Sequence, residues 1–349
     1  MHPDVYRKKI ESRIHNYARV NLLSPKQIKM LFKLNYDVDF LEDKVSECLK
    51  KPDIKYLSKI LVPSLTESMR PNRVKGNVGR AVAIGDIIGS SYEFREHDYN
   101  DVNPENLVLE SSFFTDDTIL SYATIYETCK APKNPNYRQA YISAYKKYPE
   151  AGYASGFIRW AKNIDISNRK GYGSFANGSA MRVAGIGYYY DNIKDVIKNA
   201  IKSSMVTHNH QDGIKGAVIV AVVVWMAQNG YLKEDIEKYT ARFYHHNDED
   251  MRFLINKRSY FDLYTNLYDV PNIVSQNSIF CNYAVPFAIK CFLETESYKE
   301  CMAEILRHFG DTDTICAIAG GVCYAYYGDV NLSKEDLMRV NTILARITS

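Results

Sequence analysis

The sequence predicts an all-α protein: a compact helical domain of orthogonally packed helices, preceded by a shorter helical extension. Three observations carry this. Apolar residues recur at helical spacing through most of the 349 residues. Period-2 runs are few, and strands do not alternate with helices. Segments such as "AIAGGVCYA" (317–325) are rich in small residues, which suits close helix contacts.

The elements follow in order. Residues 1–73 hold fifteen Lys and Arg against nine Asp and Glu, a net +6 that leaves −3 for the rest of a chain whose total is +3. In "SPKQIKMLFKL", Ser24 is placed to cap a helix, Pro25 takes its first position, and Ile28, Leu31 and Phe32 share one stripe. "VDFLEDKVSECLKK" has the same character. Residues 7–19, "RKKIESRIHNYAR", are basic like an organelle presequence, but Glu11 and the continuing charge pattern argue for a solvated helix. "PSLTESMRPNR", Pro63–Arg73, reads as a linker, so the extension is 1–73 and the main domain 76–349. There, helices are expected over Gly79–Gly89, Ile119–Cys129, Asn136–Lys147, Asp195–Ser204, Ile214–Asn229, Lys233–His245, Tyr298–His308, Ile315–Tyr327 and Lys334–Thr348. "GAVIVAVVVWMA" (216–227) is too short to span a bilayer and reads as a buried core helix.

Near-balanced charge gives no sign of a nucleic-acid or membrane partner. Seven cysteines, an odd number with no C-x-x-C pair, fit a reducing, cytoplasmic setting. The ten-residue spacing of Cys281, Cys291 and Cys301 reads as core filling.

Two stretches carry chemistry. "SSFFTDDTILSYAT" (111–124) sets Asp116 and Asp117 side by side, and "HFGDTDTICAIAGG" (308–321) interleaves Asp311 and Asp313 with threonines. An apolar run follows each. Adjacent residues inside a helix point about 100° apart, but a helix start is freer and its unpaired N–H groups favour negative charge. Thr115 or Asp116, and likewise Asp311, are candidate starts. One such cluster alone reads as an ordinary acidic cap. Two clusters at the lips of apolar helices bring four carboxylates together if the helices pack, and buried like charge needs a neutralising cation. Oxygen-only donors suit Mg²⁺, Mn²⁺ or Ca²⁺ rather than zinc, and four carboxylates suit a two-metal site with ions roughly 3.5–4 Å apart.

These motifs resemble the ADP-ribosylglycohydrolase family, of the dinitrogenase-reductase-activating and ADP-ribosyl-acceptor hydrolase type. Five stretches carry the resemblance, in the family's order: "GRAVAIGDIIGSSYEF", "FTDDT", "FANGSAMRVAGIG", "MVTHNHQDGIKGA" and "GDTDTICAIAGGVCYAYYG". The resemblance implies a compact all-α domain with two magnesium ions, manganese being a substitute. It implies metal ligands at Thr115, Asp116, Asp117, Asp311, Asp313 and Thr314, and a catalytic group of Glu93, Asp116 and Asp313. Glu93 matches a mobile glutamate near the metals. Phe309 and Ala176 depart from the family, which usually has glycine at both places, so the pocket's shape is expected to differ more than its activity.

The residues themselves support this reading. Cleavage at an anomeric carbon passes through an oxocarbenium-like state, which a metal-held water and a base can serve. Asn177, Gly178 and Ser179 can offer backbone amides to a diphosphate, with Met181 as a flexible wall. His208 can touch phosphate or ribose, or be a structural histidine; "HNH" lacks the ligand set of a zinc site. Asp86 fits support of the metal shell, Arg182 a carboxylate partner or a structural post, and Tyr283 a stack on adenine. Glu93 can be a general base or a surface carboxylate.

The expected activity is magnesium-dependent removal of ADP-ribose from a modified protein side chain, arginine favoured. Two alternatives stand beside it. One is a binder of ADP-ribose without turnover. The other is an interaction protein: some family members are bacterial immunity proteins whose N-terminal extension plugs an ADP-ribosyltransferase toxin. By that resemblance, residues 1–73 are a candidate toxin-binding arm.

Overall fold

The computed structural model describes residues 3–33, 38–63, 76–95, 101–163, 171–245, 261–267 and 277–348. Among them the chain is all-helical, with no strand and one isolated bridge between Ala176 and Phe280. The helices are α1 (Pro3–Val20), α2 (Pro25–Phe32), α3 (Val38–Leu49), α4 (Ile54–Ile60), α5 (Val78–Ser90), α6 (Asp116–Lys130), α7 (Tyr137–Lys147) and α8 (Ser155–Lys162). A 3₁₀ turn at Asn177–Ser179 precedes α9 (Ala184–Tyr189), α10 (Ile193–Met205), α11 (Gln211–Gln228) and α12 (Lys233–Tyr244). The last four are α13 (Cys281–Glu294), α14 (Tyr298–Leu306), α15 (Thr312–Tyr327) and α16 (Lys334–Thr348).

Every residue of α11 is buried, as a helix apolar on all sides must be. No described helix is long and apolar enough to cross a membrane. Beside α11, α5 packs along α15 with its backbone almost touching. A Cβ on Gly85 would fall on the Cys316 carbonyl, and one on Gly89 on Thr312 and Asp313. The Gly-x-x-x-Gly pair of α5 therefore sets how near the start of α15 can come.

Three helices begin earlier than their apolar pattern suggests. α6, α11 and α15 start at Asp116, Gln211 and Thr312, not at Ile119, Ile214 and Ile315. Apolar periodicity marks the packed stripe, whereas the first turn is polar and held by its cap. α13 has Pro286 inside it, which argues against a helix in sequence. The chain tolerates it because the Asn282 carbonyl, robbed of its helical donor, accepts the Phe261 N–H at 3.0 Å.

The extension is not one piece. α1–α3 close around a small core of their own that includes Ile14, Tyr17, Leu31, Leu41 and Val45. Ser24 caps α2 reciprocally: its hydroxyl accepts from Gln27 N at 3.4 Å while Gln27 Oε1 accepts from Ser24 N at 2.8 Å. α4 belongs with the main body, where Leu57 and Leu61 are fully buried and the Leu61 carbonyl accepts from the Tyr239 hydroxyl at 2.8 Å. The expected linker lies outside the described residues from 64 onward. All seven cysteines are free thiols.

Candidate functional site

The N-terminal tips of α6 and α15 meet. Thr115 caps α6 by accepting the Asp117 N–H at 3.2 Å, which puts Asp116 and Asp117 in the first turn. Asp311 is the cap residue of α15, yet its carboxylate makes no cap bond. The tips join directly where Thr314 Oγ1 donates to Asp117 Oδ2 at 3.2 Å. Two overlapping acid triads result. Asp86, Asp117 and Asp313 form one, Glu93, Asp311 and Asp313 the other; within each, one ligand atom per residue lies within 4.8 Å of the rest.

Crowding has the expected electrostatic cost. Asp117 and Asp313 are pushed well above the usual carboxylate range, first by burial and then by neighbouring acids. Asp116 rises to about 8 from burial and from Asp86 and Asp311. Asp117 Oδ1 is buried without a hydrogen-bond partner. A buried acceptor facing other carboxylates is what a cation would satisfy, so the donor set fits a hard divalent ion.

Asp86 is the hub behind the tips. Its carboxylate accepts from Thr115 N (2.8 Å), Thr115 Oγ1 (2.8 Å), Thr118 N (3.1 Å) and Thr118 Oγ1 (2.5 Å). Those bonds offset much of its burial, and it rises only to about 6. Glu93 stands in the turn after α5, half-buried and raised to about 7 by burial, Asp311 and Asp86. The next residue, Phe94, holds a left-handed φ of 48° and donates its N–H to the Gly310 carbonyl at 2.9 Å. Phe309 meets the Phe94 ring edge-on at 6.2 Å between centroids.

All six expected ligand residues line one cavity of about 360 Å³, together with Glu93, Asn177, Gly178, Met181, Arg182 and His208. Ser179 does not line it; fully buried, it donates to the Gly213 carbonyl at 2.8 Å. The Asn177 amide is committed as well, to the Ile279 carbonyl at 2.9 Å, so this residue acts through its side chain. Asn177 Nδ2 donates to Asp311 Oδ2 at 2.8 Å and to the Ser278 carbonyl at 3.1 Å.

The "HNH" residues have three separate tasks. His208 lies against Gly178, its Nδ1 2.7 Å from Thr207 Oγ1, and burial plus Arg182 drive its basicity well down, so it is neutral. Asn209 accepts from Gly173 N at 2.6 Å, and His210 caps α11. Arg182 pairs with no carboxylate among the described residues. It is fully buried, donates to Thr207 Oγ1 at 2.8 Å and to the Ser203 carbonyl at 3.2 Å, and lies 4.2 Å over the Tyr141 ring. Tyr283 is core, edge-on to Phe261 at 5.3 Å, and not part of the cavity wall. Phe113, Phe157 and Tyr172 supply the wall's aromatic rings instead.

Sequence reasoning missed a clamp at 278–281. Ser278 Oγ accepts from the Asp311 N–H at 2.9 Å, and Cys281 donates its N–H to the Phe175 carbonyl at 3.2 Å and its thiol to Ala176 at 3.1 Å. No local pattern in "QNSIFCNY" signals this, because every partner is distant in sequence. Thr118 was readable: it closes the "TDDT" motif.

Comparison with known proteins agrees with the geometry. The sequence model of the ADP-ribosylglycohydrolase family matches residues 70–343. The human ADP-ribosylhydrolase ARH3 is 28% identical over 316 residues, spanning 74% of this chain and 86% of its own. The zebrafish (Danio rerio) ARH3 is 26% identical over 317 residues, with 74% and 84% covered. A solved structure titled ADP-ribosylglycohydrolase-related protein complex superposes with a TM-score of 0.54 at 20% identity, covering 77% of this chain and 95% of that one, and so shares the fold. The chain belongs to the ADP-ribosylglycohydrolase family and is an enzyme of that class.

Proposed function

We propose that the protein hydrolyses the glycosidic bond between ADP-ribose and a modified protein side chain, using two magnesium ions, for which manganese can substitute. The meeting of the two acid-bearing tips through Thr314 and Asp117 carries this reading. Thr115, Asp116, Asp117, Asp311, Asp313 and Thr314 would hold the ions, which would supply charge neutralisation and an acidified water. Asp86 orients the α6 tip by accepting its hydroxyl and amide donors. Glu93, raised to about 7, exchanges a proton near neutral pH and serves as the base for the water that attacks the anomeric carbon. The bond to the acceptor side chain breaks in that step, and the acceptor leaves with a proton. Gly178 offers its amide to the diphosphate, and neutral His208 hydrogen-bonds phosphate or ribose without adding charge.

Arginine is the favoured acceptor, since a carboxylate-lined cavity draws a guanidinium; a cytoplasmic setting fits the free thiols. The test is incubation with arginine-linked and serine-linked ADP-ribosyl proteins, with magnesium and with chelator. Magnesium-dependent release of free ADP-ribose is expected, faster from arginine. No release from either linkage rejects the activity; faster release from serine rejects only the acceptor preference.

A second reading adds a binding role, in which the N-terminal helices engage an ADP-ribosyltransferase toxin. What favours it is that α1–α3 have their own core and meet the body at the start of α11, where Gln211 Nε2 donates to the Asn21 carbonyl. Removing residues 1–49 leaves α4 in place. If the shortened protein is folded, active and equally protective against the toxin, the arm has no such role.

A further inference from the structure

A second hollow among the described residues is larger than the acid cavity. It is a groove of about 1100 Å³ between α4 and α10, closed at one end by the start of α7. Its two sides have regular faces. On α10, Ile197, Ile201 and Met205 follow one another at four-residue steps, and so do Lys194, Lys198 and Lys202. An apolar row and a cationic row therefore run in parallel along one helix. Across the groove, Ile54, Ser58 and Val62 repeat the same step, with Lys59 beside them; Arg138 of α7 closes the rim.

Five cations and no carboxylate are among the described residues that line it, in a protein whose net charge is only +3. Lys59, Lys194 and Lys198 are exposed and make no ion pair among the described residues. Lys202 is held below its usual range by desolvation and by Lys198, and its nearest polar partner is neutral, Asn134 Oδ1 at 2.7 Å. Glu127 offsets Lys202 only in part, and Lys59, Lys194 and Lys198 face no carboxylate among the described lining residues, above an apolar floor in which Ile197 and Ile201 are nearly fully covered.

We propose that this groove docks an amphipathic helix of a partner protein, its apolar row lying between α4 and α10 and its acidic row facing Lys194, Lys198 and Lys202. The repeat argues for a helix rather than a compact ligand, since both walls are periodic at one turn. Lys194 to Lys202 is eight residues, about 12 Å of helix, so the footprint is roughly two turns at 1.5 Å per residue. None of its lining residues lines the acid cavity, and the proposal does not depend on the catalytic reading.

The probe is a fluorescent synthetic helix with leucine at four-residue steps and glutamate on the adjoining row, titrated against the full-length protein. Two control peptides replace either the glutamates by lysine or the leucines by serine. The acidic amphipathic peptide alone should bind, more weakly as salt rises. The doubly substituted variant Lys194→Glu, Lys198→Glu should bind it about tenfold or more weakly and gain affinity for the lysine peptide. Both sites are exposed and outside the cavity, so hydrolysis and melting temperature should not change. Equal binding of the serine peptide, or of the glutamate peptide by the variant, overturns the proposal. So does lysine-dependent binding to phosphatidylserine vesicles in preference to the peptide, or lysine-dependent self-association, each of which assigns the groove to another occupant.

Discussion

The two helix tips spell nearly the same word and are held in opposite ways. "TDDT" opens α6 and "DTDT" opens α15, each two acids and two threonines before an apolar run. At α6 the motif serves itself: Thr115 caps the helix, and both threonines donate to Asp86 of the neighbouring glycine helix. At α15 the first acid does not cap. Asp311 accepts from Asn177, which lines the cavity, and gives its N–H to Ser278 behind it. One tip is thus moored wholly in the core, whereas the other, though Thr312 also donates to the Gly89 carbonyl, is tied as well to the loop at Asn177. Similar letters fix neither the cap nor the partner; the elements packed around them do.

Removing what both tips share should cost most. Asp117→Ala or Asp313→Ala takes a carboxylate from the overlapping triads, and the release of ADP-ribose should fall about 10³-fold or more, since bound metal supplies several kcal/mol. Unchanged turnover would break the account. Gly89→Ala comes next. Its methyl would push against Thr312 and Asp313, so the tips should part, with a loss of about 1–3 kcal/mol in stability and weaker magnesium binding by calorimetry.

Two substitutions sharpen the contrast between the tips. Thr118→Val removes a donor to Asp86 and should lower metal affinity about 10–100-fold. Asn177→Ala unties Asp311 from the loop and should mainly raise KM. If the two variants gave the same kinetic signature, the distinction between a moored and a loop-tied tip would fall.

Acidity offers a gentler test. Asp116 and Asp86 rise from the ordinary 3.8 to about 8 and about 6, so the folded, metal-free protein binds more protons than the unfolded chain. That contribution to stability is full below about pH 4 and is lost as pH climbs toward 8. The melting temperature without metal should therefore drop over that window, and the gain on adding magnesium should grow with pH. The smallest expected effect is that of Phe309→Gly. It removes the ring edge against Phe94 and should loosen the Glu93 turn, changing kcat a few-fold in the manner of a lid residue, with little change in melting temperature.

Much of the fold was legible because it is written locally. The Ser24 cap and the apolar run 216–227 within α11 need no distant partner to be recognised. The acid tips were legible for the same reason, and counting carboxylates sufficed to call for a cation. What stayed hidden depends on contacts between segments far apart. Pro286 forbids a helix on local grounds, and only the Phe261 N–H makes it tolerable. The Ser278–Cys281 clamp joins Asp311, 33 positions later, and Ala176, 105 positions earlier, each through a backbone atom of the partner, which carries no residue code. Asn177 and Ser179 read in sequence as amide donors of a compact loop, but the Asn177 amide is spent on the Ile279 carbonyl beside the bridge to Phe280 and the Ser179 hydroxyl on the Gly213 carbonyl.

The central claim is that divalent ions sit between the starts of α6 and α15. Anomalous diffraction from a manganese-soaked crystal of the full chain tests it most directly. The account predicts two peaks among Thr115, Asp116, Asp117, Asp311, Asp313 and Thr314; a fully soaked crystal with manganese elsewhere and none among those side chains would contradict it.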